Sequence, residues 1–222
     1  MLKAVSGICL SMMVIAGCSS GQAAEKAAPP SPTTPTPEPN LRAALLQAPK
    51  GMKIAYGPET GAFGSLKSTQ QGLQAIRQSS LDHPECAGAA QLDATQPAIA
   101  KSPAAVVAFS SARGTITQAL VSLPTTTFPG ALPSQCHRYQ ATVQGAKVTY
   151  TTKELAMPQV GDQSRAFITT ATGGKNNAQI GSVIIRRANV VMSLLVVGRR
   201  VKQSGLFQLG HQADAALARH VH

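Results

Sequence analysis

The chain has 222 residues and a formal net charge of +11, with 43% apolar, 13% charged and 4% aromatic residues and no tryptophan. This composition excludes a highly charged disordered chain and any collagen-like or coiled-coil repeat. Six prolines lie within residues 29–39. Once that stretch and the N-terminus are set aside, about 180 residues remain, enough for one globular domain with a core of small side chains.

The N-terminus has the pattern of a secretory signal. Lys3 precedes a predominantly apolar stretch of 13 residues, from Ala4 to Ala16, and Gly17-Cys18 follows it. The stretch is shorter than the roughly 20 apolar residues of a transmembrane helix. The longest apolar run elsewhere, Val190–Val197, is interrupted by Ser193. We therefore expect no transmembrane helix in the mature protein, whose formal charge is +10 after the loss of Lys3.

The end of this signal, Ile15-Ala16-Gly17-Cys18, resembles the bacterial lipobox. In that motif the cysteine thiol carries a diacylglycerol, the lipoprotein anchor can include palmitate, and the peptide is cut just before the cysteine. We predict that residues 1–17 are a lipoprotein signal peptide and that lipid on Cys18 attaches the protein to the outside of the cell membrane. The alternative is an ordinary signal peptide cut near Ala23-Ala24.

Residues 18–40 hold the predicted lipidated cysteine and a tether rich in proline and threonine. Such a sequence cannot bury a core and favours extended polyproline II. At about 3.1 Å per residue it reaches at most roughly 70 Å. We expect it to act as a spacer that holds residues 41–222, the predicted domain, away from the membrane.

The four cysteines leave one candidate pair inside the domain. Cys9 is removed with the signal and Cys18 is lipidated, so Cys86 and Cys136 remain. Two thiols in an exported domain usually form a disulfide. Closing a loop of about 50 residues is worth roughly 4 kcal/mol on the chain-entropy model. The five histidines show no metal-binding spacing, so we predict neither a metal site nor a cofactor.

In the first half of the domain the patterns are short. We predict one or two helical turns after the N-cap Asn40, a strand, a loop, an alanine-rich helix that Pro97 ends, and a hairpin. A further helix is predicted to start near Pro133, because Cys136, Tyr139 and Val143 have helical spacing. The corresponding segments are 41–46, 53–56, 57–66, 86–94, the hairpin strands 106–109 and 116–123, and 133–143.

The second half predicts four consecutive strands and a helix. The strands are β-branched and aliphatic, and short turns such as Gly161-Asp162 separate them, which is typical of an antiparallel meander. The last strand is apolar on both faces, so we expect it to be central, with an amphipathic C-terminal helix covering it. The fold class is therefore α+β, one domain with helices packed on an antiparallel sheet. The strands are 148–152, 165–170, 180–185 and 190–197, and the helix spans 206–221.

Five short segments after residue 81 carry a family resemblance: Pro84-Glu85-Cys86-Ala87, Phe109-Ser110-Ser111, Gln135-Cys136-His137-Arg138-Tyr139, Gly161-Asp162-Gln163-Ser164 and Arg186-Arg187-Ala188-Asn189-Val190-Val191. Together they resemble the extracellular sensor domain of PknH-type kinases and the mycobacterial and actinobacterial envelope lipoproteins that share it. The chain departs from that family at Ala188, where glycine is common, and in having only one possible disulfide. The resemblance covers about 140 residues and implies an α+β domain with a central cleft for an unidentified ligand.

No motif in the sequence points to catalysis. Asp162 and Ser164 offer a carboxylate and a hydroxyl for the rim of a cleft, but Gly161-Asp162-Gln163-Ser164 is equally typical of a β-turn. No nucleophile elbow or Walker loop occurs, and nine acidic residues leave few candidates for a pair of catalytic carboxylates. We predict that the protein is not an enzyme.

Two basic clusters flank the last predicted strand: Arg186 and Arg187 before it, and Arg199, Arg200 and Lys202 after it. They are either solvated strand ends or contacts for an anionic ligand. Nucleic acid is a poor partner for an exported protein without aromatic residues among its cations. Phospholipid headgroups, acidic glycolipids and wall polymers are the anionic partners that remain. The sequence leaves the oligomeric state open.

We therefore expect a membrane-anchored, sensor-like ligand-binding lipoprotein of the cell envelope, without catalysis. A second hypothesis is a lipid or glycolipid carrier with an apolar cavity under the sheet. A third is an envelope hydrolase that uses Asp162 or Ser164. The shape of the cleft separates the first two, because a carrier encloses an apolar volume whereas a sensor has a shallower groove with a polar rim.

Overall fold

The computed structural model describes residues 40–126, 128–173 and 177–221. Lys3, Cys18 and the proline-rich tether lie outside this part of the chain, so their predicted roles stay predictions. Nine strands and three helices form the described fold: β1 Lys53–Ala62, α1 Lys67–Arg77, β2 Ser79–Leu81, α2 Pro97–Ala100, β3 Pro103–Ser111, β4 Gly114–Ser122, β5 Arg138–Val143, β6 Ala146–Leu155, β7 Gln163–Thr172, β8 Ala178–Arg187, β9 Val190–Gly198 and α3 Gln203–Ala218.

All nine strands belong to one antiparallel sheet with the order β1-β3-β4-β9-β8-β7-β6-β5-β2. The α+β prediction is confirmed, as are the hairpin β3–β4 and the meander from β6 to β9. Strand β9 is central, as its apolar sequence predicted, because it pairs with β4 on one side and with β8 on the other. Within the described residues no helix is long and apolar enough to cross a membrane.

Helix α3 covers one face of the sheet, which we call the α3 face. Its Leu206 and Leu217 are fully buried and join a core that includes Val183 and Met192. Gly181 allows the close approach, since a Cβ there would lie 2.7 Å from Val201 Cγ1 and 3.0 Å from Leu206 Cδ2. The predicted cover for the central strand is confirmed.

A single turn after Asn40 also packs on the α3 face. Asn40 Oδ1 accepts a hydrogen bond from Ala43 N at 3.1 Å, as expected of an N-cap, but the turn does not continue into a helix. Leu46 N donates to Gln118 Oε1 at 2.7 Å, and Gln118 is fully buried on β4. This bond satisfies a polar side chain in the core and ties the start of the domain to the sheet.

Three local predictions are wrong. Residues 57–66 are not a loop, because β1 continues through an irregular stretch around Pro58, which an edge strand tolerates. Residues 86–94 form turns instead of a helix, and Pro97 begins α2 instead of ending a helix. Residues 133–143 form a short 3-10 turn and then β5, whose burial alternates along the strand. In the first and third segments strand pairing overrides a weak loop or helical pattern.

Candidate ligand-binding cleft

The face of the sheet opposite α3 is concave, and we call it the cleft face. Helix α1 connects β1 to β2, which are the two edge strands. A flat nine-stranded sheet would be about 38 Å wide at a spacing of about 4.8 Å, whereas an 11-residue helix is about 16 Å long. The sheet must curl for so short a helix to join its edges, and α1 therefore bridges the concave side as a roof.

A diagonal row of hydroxyl side chains crosses the floor of this cleft. From one strand to the next, the hydroxyl residue is displaced by two positions from the residue that pairs with the preceding hydroxyl residue. The last two, Thr169 and Thr152, pair directly. The row consists of Thr117 on β4, Ser193 on β9, Ser182 on β8, Thr169 on β7 and Thr152 on β6. It is a polar path across five adjacent strands.

The hydroxyls of this row differ in their hydrogen bonding. Thr152 Oγ1 and Thr169 Oγ1 share a hydrogen bond of 2.9 Å. Ser182 and Ser193 are only 3% and 5% exposed, yet their side chains make no hydrogen bond with another described residue. Neither hydroxyl oxygen is among the fully enclosed side-chain atoms that lack a partner, so both are accessible from the cleft. The floor thus presents unsatisfied donors and acceptors to whatever enters the cleft.

Two neighbouring cavities occupy the space between roof and floor. One, of about 180 Å³, lies between α1 and the floor residues Thr117 and Ser193. The other, of about 150 Å³, extends towards Ser182 and Thr169. Both are lined by Ile76 of α1 and by Ala87, Gly88 and Gln91 of the segment after the 3-10 turn at 84–86.

The roof helix is attached at its N-terminal end but leaves room beneath it. Glu59 Oε2 on β1 accepts hydrogen bonds from Ser68 N at 3.3 Å and Ser68 Oγ at 3.1 Å, and Tyr56 donates its hydroxyl to Glu59 Oε1. No residue of α1 is fully buried, and its apolar Leu73 and Ile76 stay half-buried above the first cavity. The helix faces a space instead of packing tightly against the floor.

The disulfide predicted from cysteine usage is confirmed and forms the side wall of the cleft. Cys86 and Cys136 are bonded and fully buried. The bond joins the segment that carries Ala87, Gly88 and Gln91 to the start of β5. Gly88 and Ala90 adopt positive φ angles of 75° and 64°, and for alanine this left-handed conformation is unfavourable. The disulfide holds this wall against the sheet.

A pair of stacked tyrosines closes the far end of the second cavity. The rings of Tyr139 on β5 and Tyr150 on β6 are 5.1 Å apart with an interplanar angle of 15°. Burial raises the pKa of Tyr139 to about 12, with smaller contributions from Tyr150 and Asp82. Both rings line the cavity and offer it an aromatic surface with hydroxyl groups.

The raised pKa of Tyr139 predicts a loss of stability in alkali. Unfolded tyrosine ionises near pH 10, so between about pH 10 and about 12 the unfolded state releases the proton first and folding weakens as pH rises. We expect the melting temperature of the Tyr139→Phe variant to fall less steeply over that interval than that of the wild type. The two proteins differ only at position 139, so the difference between the curves isolates Tyr139. Parallel curves would contradict this assignment.

Arg165 lies beside the cleft, in a third cavity of about 180 Å³ that also reaches Ala87 and Gln91. Its Nη1 is buried and has no hydrogen-bond partner, which holds for no other buried side-chain nitrogen or oxygen in the described residues. Its Nε is 3.9 Å from Glu154 Oε1, and its guanidinium carbon is 6.0 Å from the centre of the Phe128 ring. The residue offers an unused donor near the wall of the cleft.

The site residues named from the sequence lie elsewhere. Asp162 Oδ2 accepts hydrogen bonds from Ala188 N at 2.8 Å and from Arg186 Nη1 at 3.2 Å, and Ser164 Oγ accepts one from Val160 N at 3.0 Å. These groups stabilise the turns that precede β7 and follow β8, and they line neither cavity of the cleft.

The basic residues named from the sequence divide into two kinds. Arg187 donates three hydrogen bonds of 2.9–3.1 Å to the Asp214 carboxylate on α3. These bonds raise the pKa of Arg187, so it stays a cation that fixes α3 to the sheet. Arg199, Arg200 and Lys202 are exposed and make no ion pair with a described residue.

The hydroxyl row and Arg165 were not predicted from the sequence. Single hydroxyls within apolar strands, such as Ser182 and Ser193, were the available signal, but only strand register brings them into line. In the described parts of the chain, no group of three or more histidine, cysteine, aspartate or glutamate side chains could hold a metal ion.

Two solved structures share this architecture. The extracellular domain of PknH from Mycobacterium tuberculosis superposes with a TM-score of 0.53 at 16% identity, covering 82% of this chain and 96% of that one. The protein has the fold of the PknH extracellular domain. A putative uncharacterized protein from Mycobacterium smegmatis, an Rv0999 ortholog, has the same fold with a TM-score of 0.50 at 12% identity, covering 80% of this chain and 93% of that one. No family model and no curated protein sequence matches the chain.

The PknH-like fold agrees with the resemblance inferred from short sequence segments. The structure also explains why glycine is common in the family at position 188. Ala188 has a φ of 50°, a left-handed conformation that glycine adopts more easily. At such low identity the similarity establishes the fold, and the role of the cleft has to be argued from the residues of this chain.

Proposed function

We propose that the protein is a non-catalytic, sensor-like ligand-binding module that lipid on Cys18 holds outside the cytoplasm. The observation that carries the proposal is the roofed cleft, whose floor presents the unpaired hydroxyls of Ser182 and Ser193. Small concave sites with a few convergent polar groups are typical of ligand binding. The neighbouring PknH structure is itself an extracellular domain, which agrees with this location.

The shape of the cleft favours a small polar ligand over an acyl chain. Its two cavities measure about 180 and 150 Å³, each below the roughly 300–1,000 Å³ of sites for drug-sized molecules. The first cavity is lined mainly by apolar side chains such as Leu73, Ile76 and Leu195, and the second adds hydroxyls and two tyrosines. This combination suits a small molecule that has several hydroxyl or amide groups beside an apolar part. A carrier would have a larger apolar enclosure, so the carrier hypothesis ranks second.

The hydrolase hypothesis has the least support. Ser164 accepts a hydrogen bond from Val160 N, and Asp162 accepts hydrogen bonds from Arg186 and Ala188, so both residues have structural roles at the turns. A serine nucleophile also needs a base within hydrogen-bonding distance. Ser164 makes no hydrogen bond to a described histidine.

Filling the cleft without disturbing the fold tests the proposal. A Cβ at Gly72 on α1 would meet no atom within 4 Å, and Gly72 lines the first cavity. We expect Gly72→Leu to fold, with its helix stabilised by about 0.8 kcal/mol, and to lose ligand binding because the new side chain occupies the cavity. Gln74→Leu, on the exposed side of the same helix, is the matched control.

The measurement is the change in melting temperature on adding polar metabolites or lipids extracted from the cell envelope of the host. The proposal predicts that the polar extract stabilises the wild type and Gln74→Leu but not Gly72→Leu. Stabilisation by the lipid extract alone would favour the carrier. An equal shift for Gly72→Leu would place binding outside the cleft and contradict the proposal.

A further inference from the structure

The strand register gathers five cations at one end of the sheet, which we call the basic end. Strand β1 begins at Lys53, which pairs with Ser110 near the end of β3. Arg113 lies in the β3–β4 turn, and Gly198 at the end of β9 pairs with Gly114 at the start of β4. Four adjacent strands span only about 15 Å. The cations that share this end are Lys53, Arg113, Arg199, Arg200 and Lys202.

These cations are unneutralised, in contrast to the basic pair at the other end of β9. All five side chains are exposed, and none forms an ion pair within the part of the chain that the structure describes. Arg186 and Arg187 are bound to Asp162 and Asp214. No aspartate or glutamate occurs in residues 50–56, 110–116 or 195–205. The basic end therefore projects an uncompensated positive potential.

Two apolar side chains are exposed to solvent at the same end. Ile54 is 56% exposed and Val197 is 38% exposed, and they are the only large apolar side chains so exposed among the described residues. Ile54 follows Lys53 in β1, and Val197 lies two residues before Arg199 in β9. Single exposed apolar residues are common on protein surfaces, but these two flank the unpaired cations on both sides of the sheet. Ile54 pairs with Phe109 of the α3 face, and Val197 lies on the cleft face, two residues after Leu195.

The geometry points to the basic end as a docking surface for an anionic phospholipid bilayer. Each lysine or arginine near such a surface is attracted to anionic headgroups, and aliphatic side chains among the cations enter the boundary between headgroups and acyl chains. A soluble anionic polymer would engage the cations but has no apolar layer for Ile54 and Val197. This surface is separate from the cleft and does not depend on its ligand.

Vesicle binding by the lipid-free chain that begins at Ser19 tests this inference. The vesicles contain phosphatidylcholine alone or equal parts of phosphatidylcholine and phosphatidylglycerol. We expect binding only to the anionic vesicles, and a steep loss between about 0.1 M and 1 M salt, because the screening length falls from about 10 Å to about 3 Å. Reversal of Arg199, Arg200 and Lys202 to glutamate should weaken binding by about 100-fold.

Two further variants separate docking from net charge. Reversal of Arg42, Lys67 and Lys101, three exposed cations outside the basic end, changes net charge equally and should weaken binding several-fold less. The pair Ile54→Thr and Val197→Thr should weaken binding several-fold with an unchanged dependence on salt. All variants should keep the wild-type melting temperature within a few degrees.

The inference fails if the wild type does not bind anionic vesicles at low salt, or binds both vesicle types equally. It also fails if the two triple reversals weaken binding by the same factor, since net charge alone would then explain the attraction. Unchanged binding by the threonine pair, together with binding to a soluble anionic polymer such as teichoic acid, would replace the bilayer with a polymer as the partner.

Discussion

Replacing both cysteines of the Cys86–Cys136 disulfide by alanine should lower the free energy of unfolding by about 4 kcal/mol. For a domain of this size that corresponds to a drop in melting temperature of roughly 10 °C. The reason is that the bond closes a long loop in the unfolded chain and joins the wall of the cleft to β5. Thermal unfolding of the double variant beside the oxidised wild type measures the effect.

The wild type treated with a reductant is the control for this experiment. It should melt at nearly the same temperature as the double variant, because both lack only the covalent bond. Hydrogen exchange should quicken first in residues 87–91, the wall segment shared by the two cavities. Melting of both forms within about 2 °C of the oxidised protein would show that packing alone holds the wall.

Replacing Cys18 by alanine should release the protein from the membrane fraction completely. Cys18 lies directly after the predicted signal, and in the mature chain it would be the sole attachment point for lipid. Vesicle attraction at the basic end is reversible and sensitive to salt, so a high-salt wash separates it from lipid anchoring.

Fractionation of the host and an intact mass of the purified protein measure this effect. The wild type should carry the added mass of a lipid group and resist the wash, whereas Cys18→Ala should appear in the soluble fraction. Ser19→Ala, a neighbouring change that leaves the thiol in place, serves as the control and should remain anchored. Retention of Cys18→Ala in the washed membranes would contradict the lipobox prediction.

The sequence predicted the structure correctly where the local hydrophobic pattern agrees with the strand pairing. Strands β6 to β9 are rich in β-branched residues, and their apolar residues either alternate with polar ones or form continuous runs. Short turns separate the strands, so their meander could be predicted. The centrality of β9 followed from its two apolar faces, and the disulfide followed from the count of cysteines in an exported domain. These features depend on short-range information or on a single pairing.

The features that failed depend on long-range geometry. Helix α1 was not predicted, because its sequence is polar and holds only Leu73 and Ile76 as large apolar residues. Its position follows from the need to bridge two edge strands of a curled sheet. The alanine-rich segment after Cys86 has helical propensity, but the disulfide and the left-handed conformation of Ala90 hold it in turns.

The cleft could be expected only from family resemblance, and its chemistry could not be predicted from the sequence. Thr117 is far from Ser182 and Ser193 along the chain, and only the pairing of β4, β9 and β8 puts the three residues in one row. The residues that stood out in sequence, Asp162 and Ser164, support turns instead. Turn residues and rim residues have the same composition, so the sequence cannot separate these roles.

Native mass spectrometry of the protein purified from its own host tests the central claim, that the cleft binds a small ligand, most directly. The wild type and Gln74→Leu should retain a non-covalent molecule of low mass, and Gly72→Leu should appear without it, because the leucine fills the cavity under α1. The same bound mass on all three proteins, or no bound mass on the wild type, would contradict the claim.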